Sequence, residues 1–220
     1  MFEQLIGRQL RLPRGFFGQM AAAYMDRLNE AMTDQALTAL APKPNENILD
    51  IGFGGGRSLE LLLARMRGGK LVGAEVSNAM LHRANRRFRS EVVHGRLVLC
   101  GGTAESLPVE SARFEAVITL NTLYFWQSAE AGFREIYRVL KPNGRLVIAF
   151  RPRSVMEQLP FTKHGFSLYT IDDVRRAMAN TDLQVENVVE SRDAHLGYVC
   201  MLARRPLGPS AAVDNGAARS

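Results

Sequence analysis

The sequence predicts an α/β chain built on a mostly parallel, doubly wound sheet of seven strands with helices on both faces. Three observations carry that prediction. From residue 47 onward, short apolar runs rich in Val, Ile and Leu alternate with amphipathic helical segments, the pattern of repeated strand–helix–strand units. The helical segments are opened by capping residues or closed by Gly and Pro. The first apolar run leads through a glycine-rich turn directly into a helix, as doubly wound folds do at their ligand-binding end.

The elements follow in order. Residues 15 to 41 read as helix, with Phe17, Met20, Ala21, Tyr24 and Leu28 at helical spacing opposite Gln19, Asp26, Arg27 and Glu30. Thr33 offers an N-cap from which a second segment can restart, and APKPN at 41 to 45 ends it. NILDI is the first strand and RSLELLLARM the helix after it, stopped by Gly68 and Gly69. KLVGAE is the second strand. Ser77 caps the helix NAMLHRANRRF. RLVLC and FEAVITL are the third and fourth strands. The helix SAEAGFREIYRVL places Phe133, Ile136, Tyr137 and Leu140 on one face and ends at KPNG. RLVIAF is the fifth strand. Thr170 opens a last helix with acids in its first turn, and LQVENVVE and YVCMLAR complete the sheet.

The bulk numbers limit the class of protein. At 220 residues the chain suits one domain with a substantial core. Its hydrophobic content of 46% and mixed charge are those of a globular protein, and no apolar run is long enough to span a bilayer. The N-terminus lacks the apolar segment and cleavage site of a secretory signal. Cys100 and Cys200 lie far apart in strand-like runs, which reads as free thiols in a cytoplasmic protein; no metal-ligand spacing is present. The net charge of +6 raises the question of an acidic partner. The basic residues are dispersed, however, and the one concentration, Arg83, Arg86, Arg87, Arg89 and Arg96, reads as a solvated helix face. Arg8, Arg11 and Arg14 beside Phe16 and Phe17 could engage a membrane surface, although acids in the same segment weigh against it. The tail from residue 205 is rich in Pro, Gly, Ser and Ala and is expected to be flexible.

The chemistry concentrates in ILDIGFGGG. Gly52, Gly54 and Gly56 remove side chains where a ligand can approach the backbone. Arg57 stands where a GxGxxG dinucleotide fingerprint wants its third glycine. Asp50 precedes the turn by two residues; its charge would repel a pyrophosphate and attract a cation. Glu75 ends the second strand, 19 residues beyond Gly56, where an acid can accept from both ribose hydroxyls. The ligand so described has a ribose and a positive charge and no pyrophosphate. A strand-end acid without a ligand is the plainer alternative for Glu75.

Over roughly residues 45 to 204 the sequence resembles the class I S-adenosylmethionine-dependent methyltransferases. The resemblance is carried by ILDIGFGGG, GAEVS, GGTAESLP, RFEAVITLNTLYFW and, most specifically, REIYRVLKPNGRLVI. It implies a Rossmann-like sheet and S-adenosyl-L-methionine as cofactor. It implies that Asp50 with Gly52, Phe53, Gly54 and Gly56 holds the methionine end of the cofactor. Glu75 and Val76 would take the ribose side, and Thr103, Ala104 and Glu105 would lie along the adenine. Asn121 would sit beneath the cofactor near the methyl group, with a simple turn residue as its alternative. The family often has an acid where Thr103 stands; a hydroxyl accepts more weakly. Tyr124 and Trp126 follow the fourth strand where the family places acceptor-binding groups, and core residues are the alternative for both.

Because the cofactor supplies the activated methyl group, a general base is required only for an acceptor holding a proton of high pKa. His164, in the loop after the fifth strand, is the candidate base against a plain loop histidine. The expected organisation is a helical segment at 1–44 that could act as a lid, a cofactor-binding domain at 45–204 and a tail at 205–220. The expected activity is in-line methyl transfer to a small-molecule acceptor, apolar or lipid-like given the aromatic loop. An RNA methyltransferase and a non-catalytic cofactor-binding protein are the alternatives, and NTLY in place of an NPPY-type run argues against the first.

Overall fold

The computed structural model describes residues 28–163, 165–191 and 197–207. Seven strands form a single sheet: β1 (Ile48–Ile51), β2 (Leu71–Glu75), β3 (Leu97–Gly101), β4 (Phe114–Leu120), β5 (Leu140–Phe150), β6 (Gln184–Glu190) and β7 (Val199–Arg204), in the order β3-β2-β1-β4-β5-β7-β6. The five strands from β3 to β5 are mutually parallel, and β7 runs antiparallel between β5 and β6. The strand order reverses between β1 and β4, and doubly wound sheets leave a ligand-binding crevice at the carboxyl ends of the strands at such a reversal. The central strands β1 and β2 are buried at every position, as parallel strands covered on both faces must be. Edge strand β6 instead mixes half-buried and exposed residues and carries Glu186 and Glu190, charges that discourage edge-to-edge pairing.

The helices divide between the two faces. On one side α1 (Glu30–Leu40), α2 (Arg57–Arg65) and α3 (Asn78–Arg87) bury Met32, Leu37, Leu40, Leu59, Leu62 and Met80 against the sheet. On the other, α5 (Ala129–Val139) and α6 (Ile171–Ala179) bury Phe133, Ile136, Val174 and Met178. Each fully buried side chain of this size contributes roughly 1.5–3 kcal/mol. Two caps agree with the sequence, at Ser77 and Thr170, and Ser128 supplies a third. The Ser77 hydroxyl accepts from Met80 N–H, and the Ser128 hydroxyl accepts from Ala131 N–H. Thr170 forms a reciprocal capping box with Asp173.

The structure departs from the sequence reading in three places. Thr33 is not an N-cap: α1 begins at Glu30 after Asn29, and the Thr33 hydroxyl donates back to the Asn29 carbonyl at 2.8 Å inside the helix. A short helix α4 (Arg89–Val93) follows α3, where no element was expected. KPNG is not a turn outside the sheet. Strand β5 starts at Leu140, directly after α5, and the segment forms an irregularity within it, the register passing from Phe114↔Leu140 to Ala116↔Arg145. Arg145 then ties the sheet to α1 through Glu46 (2.6 Å) and the Leu40 carbonyl (2.6 Å). Residues 1–27, which hold most of the first expected helix and the Arg–Phe segment, lie outside the described residues, as do His164 and residues 208–220.

Candidate functional site

The crevice at the strand reversal is floored by the turn between β1 and α2. Gly52, Gly54 and Gly56 all have positive φ, +73°, +50° and +85°. Packing accounts for two of them. A Cβ on Gly52 would come within 2.4 Å of Thr122 Cγ2, and one on Gly56 within 3.0 Å of the Phe88 ring. Gly54 is different. A Cβ there would meet nothing closer than the Gly52 carbonyl at 4.0 Å, so the space above it is open and the backbone is presented bare. Phe53 contributes no side chain to that space: its ring is 5% exposed and lies against Gly73, in the core beneath the sheet.

Two carboxylates flank the turn. Asp50 is 1% exposed and accepts from the Ser58 hydroxyl at 2.5 Å. Burial pushes its pKa up to about 7; the Ser58 hydrogen bond opposes that rise and the Glu75 charge adds to it. Glu75 is 6% exposed, and each of its oxygens already accepts a backbone N–H, from Gly54 at 3.0 Å and from Ser77 at 2.9 Å. Burial raises its pKa while these N–H groups pull the other way. A carboxylate offers about four acceptor positions, so capacity remains for a hydroxyl donor. Glu75 thus holds the glycine turn and the start of α3 in place, and retains acceptor capacity at the mouth of the crevice.

Beyond Glu75 lies an open concavity of about 490 Å³, lined by Val76, Gly101, Gly102, Thr103, Ser106, Leu107 and Pro108. Val76 is 50% exposed on its wall. Thr103 and Ser106 exchange backbone hydrogen bonds at 3.2 Å and fold the loop into a tight turn, with Ala104 buried behind it. Glu105 is not among the residues that line this concavity. It accepts from the Gln127 N–H at 2.6 Å and the Ser128 N–H at 3.4 Å, tethering the loop to the start of α5.

On the other side, Asn121 follows β4 with φ +56°. Its Oδ1 faces the Tyr124 hydroxyl (3.2 Å) and Arg151 Nη1 (3.5 Å), while Nδ2 is buried without a hydrogen-bond partner among the described residues. Tyr124 and Trp126 are not the open pocket wall that the sequence suggested. They are 4% and 6% exposed. The Tyr124 hydroxyl accepts from the Arg151 N–H and binds the β4 end to the β5 end, and burial holds its pKa far above the ordinary range. Trp126 packs on Phe133 and fills the space beside Gly132, where a Cβ would lie 2.5 Å from its ring. The accessible aromatic surface is adjacent: Phe125, Phe161 and Phe166 are half-buried, with ring centroids 4.9 Å apart for Phe125–Phe166 and 5.8 Å for Phe161–Phe166. Sequence reasoning also missed Ser58, Thr122 and Arg151, to whose side chains it assigned no role. His82 and His94 are exposed.

The fit to a nucleoside-bearing cation rests on this geometry. The Gly54 backbone is open, Glu75 retains acceptor capacity beside it, Val76 and Thr103 border a concavity of ligand size, and Asp50 supplies a buried carboxyl beneath the turn.

Comparison with known proteins agrees. Residues 49–148 match the model of a methyltransferase domain. A Bacillus subtilis (strain 168) protein described as an uncharacterized methyltransferase, YdaC, is 30% identical over 189 residues, covering 85% of this chain and 99% of its own. The ubiquinone/menaquinone biosynthesis C-methyltransferase UbiE of Vibrio parahaemolyticus is 26% identical over 189 residues, 81% of this chain and 72% of its own. Among solved structures, the geranyl diphosphate C-methyltransferase of Streptomyces coelicolor A3(2) superposes with a TM-score of 0.70 at 19% identity, covering 88% of this chain and 87% of that one. The last shares the fold; the near-full-length match to YdaC shows the family. With a sheet of this order, a bare glycine turn between two acids and these relatives, the chain belongs to the class I S-adenosylmethionine-dependent methyltransferases.

Proposed function

We propose that this methyltransferase acts on a small, apolar acceptor bound against Phe125, Phe161 and Phe166. The observation that carries the reading is the half-buried aromatic cluster built from the loops after β4 and β5, beside Asn121 at the crevice. The Ser167 N–H donates to the Tyr124 carbonyl at 2.9 Å and holds the two loops together. Two relatives support an apolar acceptor class: their names assign them to ubiquinone or menaquinone biosynthesis and to geranyl diphosphate.

In this reading Glu75 accepts from the ribose hydroxyls, the Gly54 backbone and Asp50 hold the methionine end, and Val76, Thr103 and Ala104 border the adenine. When bound, the cofactor supplies a methyl group made electrophilic by its sulfonium. The protein's own contribution is alignment and exclusion of water, worth on the order of 7–11 kcal/mol of barrier when the geometry is near attack. The aromatic cluster places the acceptor and dries the site. Tyr124 stays protonated and serves as a hydrogen-bonding strut rather than a base. An acceptor with a proton of high pKa needs a base, and His164 is the candidate.

Incubation of the full chain with methyl-labelled S-adenosylmethionine and a metabolite extract tests the reading. Label recovered in the organic-extractable small-molecule fraction, unchanged by nuclease, is the expected result. Label lost on nuclease treatment would establish a nucleic-acid acceptor in its place.

A further inference from the structure

The stretch REIYRVLKPNG carries two charged side chains, Glu135 and Arg138, one turn apart on α5. They form a two-pronged ion pair: Arg138 Nε donates to Glu135 Oε2 and Nη2 to Oε1, both at 2.7 Å. The Glu135 side chain is 15% exposed. The Arg138 hydrogen bonds hold its carboxyl below the ordinary value, so it is charged at neutral pH. Their remaining bonds leave the helix. Glu135 Oε1 accepts from the Leu107 N–H at 2.9 Å. Arg138 Nη2 donates to the Leu107 carbonyl at 3.3 Å and the Val109 carbonyl at 2.9 Å, and Nη1 donates to the Ser111 hydroxyl at 3.0 Å. Both backbone groups of Leu107 are therefore held by one pair of side chains, 28 and 31 residues further along the chain.

Leu107 and Pro108 form part of the wall of the concavity beyond Glu75. That wall is a loop, not a helix or strand. Thr103 and Ser106 pair within it, and the Val109 N–H donates to the Leu107 carbonyl at 2.8 Å, closing a three-residue turn around Pro108. Proline has no N–H to fix this turn from within. The Leu107 N–H and the carbonyls of Leu107 and Val109 are the handles that α5 uses instead. The loop also fits closely on itself: a Cβ on Gly102, across the wall, would lie 3.0 Å from Pro108 Cδ and 3.2 Å from the Ser106 carbonyl. A displacement of Leu107 and Pro108 therefore changes the shape of the concavity directly.

We propose that Glu135 and Arg138 are positioning residues for cofactor binding: from behind the loop they hold Leu107 and Pro108 in place, so that the concavity is formed before the ligand arrives. This rests on the reading of the concavity as the adenine side of the S-adenosylmethionine site. The guanidinium matters in particular. Its planar fork meets a carboxylate, two carbonyls and a hydroxyl at once, whereas an ammonium on a single stem is a point charge. A loop ordered beforehand leaves less conformational entropy to be lost on binding.

Calorimetric titration of S-adenosylhomocysteine into the full-length chain tests the proposal, well below the Tm of each variant and with amide hydrogen exchange followed over residues 103–109. Arg138→Met and Arg138→Lys should each weaken binding roughly 5- to 30-fold, the scale of an ordering cost moved from folding to binding. In the ligand-free variants residues 103–109 should exchange faster than in wild type, and saturating S-adenosylhomocysteine should return them to the wild-type rates. Lysine can keep the ion pair to Glu135, so wild-type affinity in Arg138→Lys would reduce the pair to a contact on the helix surface and overturn the proposal. Unchanged exchange over 103–109 would overturn it as well. Glu135→Gln, whose amide oxygen can still accept from Leu107, should show a smaller loss of the same kind and covers the case in which Arg138→Met fails to fold. Arg113→Met removes an exposed ion pair with Glu110 between β3 and β4 and should change neither affinity nor exchange; a loss equal to that of Arg138→Met would assign the effect to charge and contradict the grip. Wild-type protein that does not bind S-adenosylhomocysteine would overturn the cofactor reading itself.

Discussion

Substitution of Gly54 by valine separates a ligand-binding turn from a merely structural one. In the folded chain Gly54 has φ +50°, and a β carbon there would have open space around it, with the Gly52 carbonyl 4.0 Å away as the nearest atom. A β carbon therefore meets no clash in the ligand-free protein. The left-handed backbone costs folding about 1–2 kcal/mol. For a domain of this size that is a fall in Tm of about 2–8 °C. The cost to the cofactor is of another order, because the branched side chain occupies the space that the bare backbone leaves open. A loss of about 100-fold in affinity, about 2.8 kcal/mol at 1.4 kcal/mol per decade, is the minimum expected. The contrast is Gly52→Ala, whose methyl group would lie 2.4 Å from Thr122 Cγ2 and whose principal effect should be on folding. Thermal melts and calorimetric titration of S-adenosylmethionine on both variants decide the matter. Valine at 54 with a lowered Tm and wild-type affinity would refute the reasoning.

Further predictions concern the two acids. The Asp50 pKa of about 7 lies above its ordinary 3.8, so between those values the folded state holds a proton that the unfolded chain has released, and the ligand-free protein loses stability as pH rises through that window. Asp50→Asn removes the effect, and its Tm relative to wild type should therefore rise between pH 5 and pH 8. A ligand cation favours the ionised carboxyl, so wild-type affinity for S-adenosylmethionine should tighten from pH 6 to pH 8 more steeply than that of Asp50→Asn; parallel profiles would remove Asp50 from the site. Glu75→Ala should weaken the cofactor by about 1.5–3 kcal/mol through lost charge-assisted bonds. The Gly54 and Ser77 N–H groups would lose their acceptor as well, so a Tm lower by several degrees is also expected, and unchanged affinity would leave Glu75 a structural strut.

The fold was legible because its signals are local. Strand and helix periodicities, the caps at Ser77 and Thr170 and the glycine turn each occupy a few consecutive residues, and the parallel order follows from their alternation. The glycines and two acids were legible for the same reason: one strand, one turn and the end of the next strand define them. What escaped depends on chain brought from elsewhere. Arg151 reads as an ordinary residue between a strand and a proline, and its meaning comes from Asn29 and Asn121, 122 and 30 residues away. Glu105 sits in a loop that borders the cofactor in the family, but one oxygen of its carboxylate is taken by backbone N–H groups 22 and 23 residues on. The direction of a side chain was equally hidden: Phe53 stands between two glycines of the turn, yet its ring fills the space above Gly73. For Tyr124 and Trp126 the aromatic character announced a pocket wall, whereas complementary packing against Arg151, Gly132 and Phe133 buried them.

The central claim is that one crevice, between the glycine turn and Asn121, holds the cofactor with Glu75 on its ribose. A crystal structure of the full chain grown with S-adenosylhomocysteine tests it most directly. The account predicts the ribose hydroxyls within hydrogen-bonding distance of the Glu75 carboxylate, the amino-acid end above Gly54 and the adenine in the concavity beside Val76 and Thr103. A ligand bound elsewhere, or one lying in the crevice without touching Glu75, would contradict it.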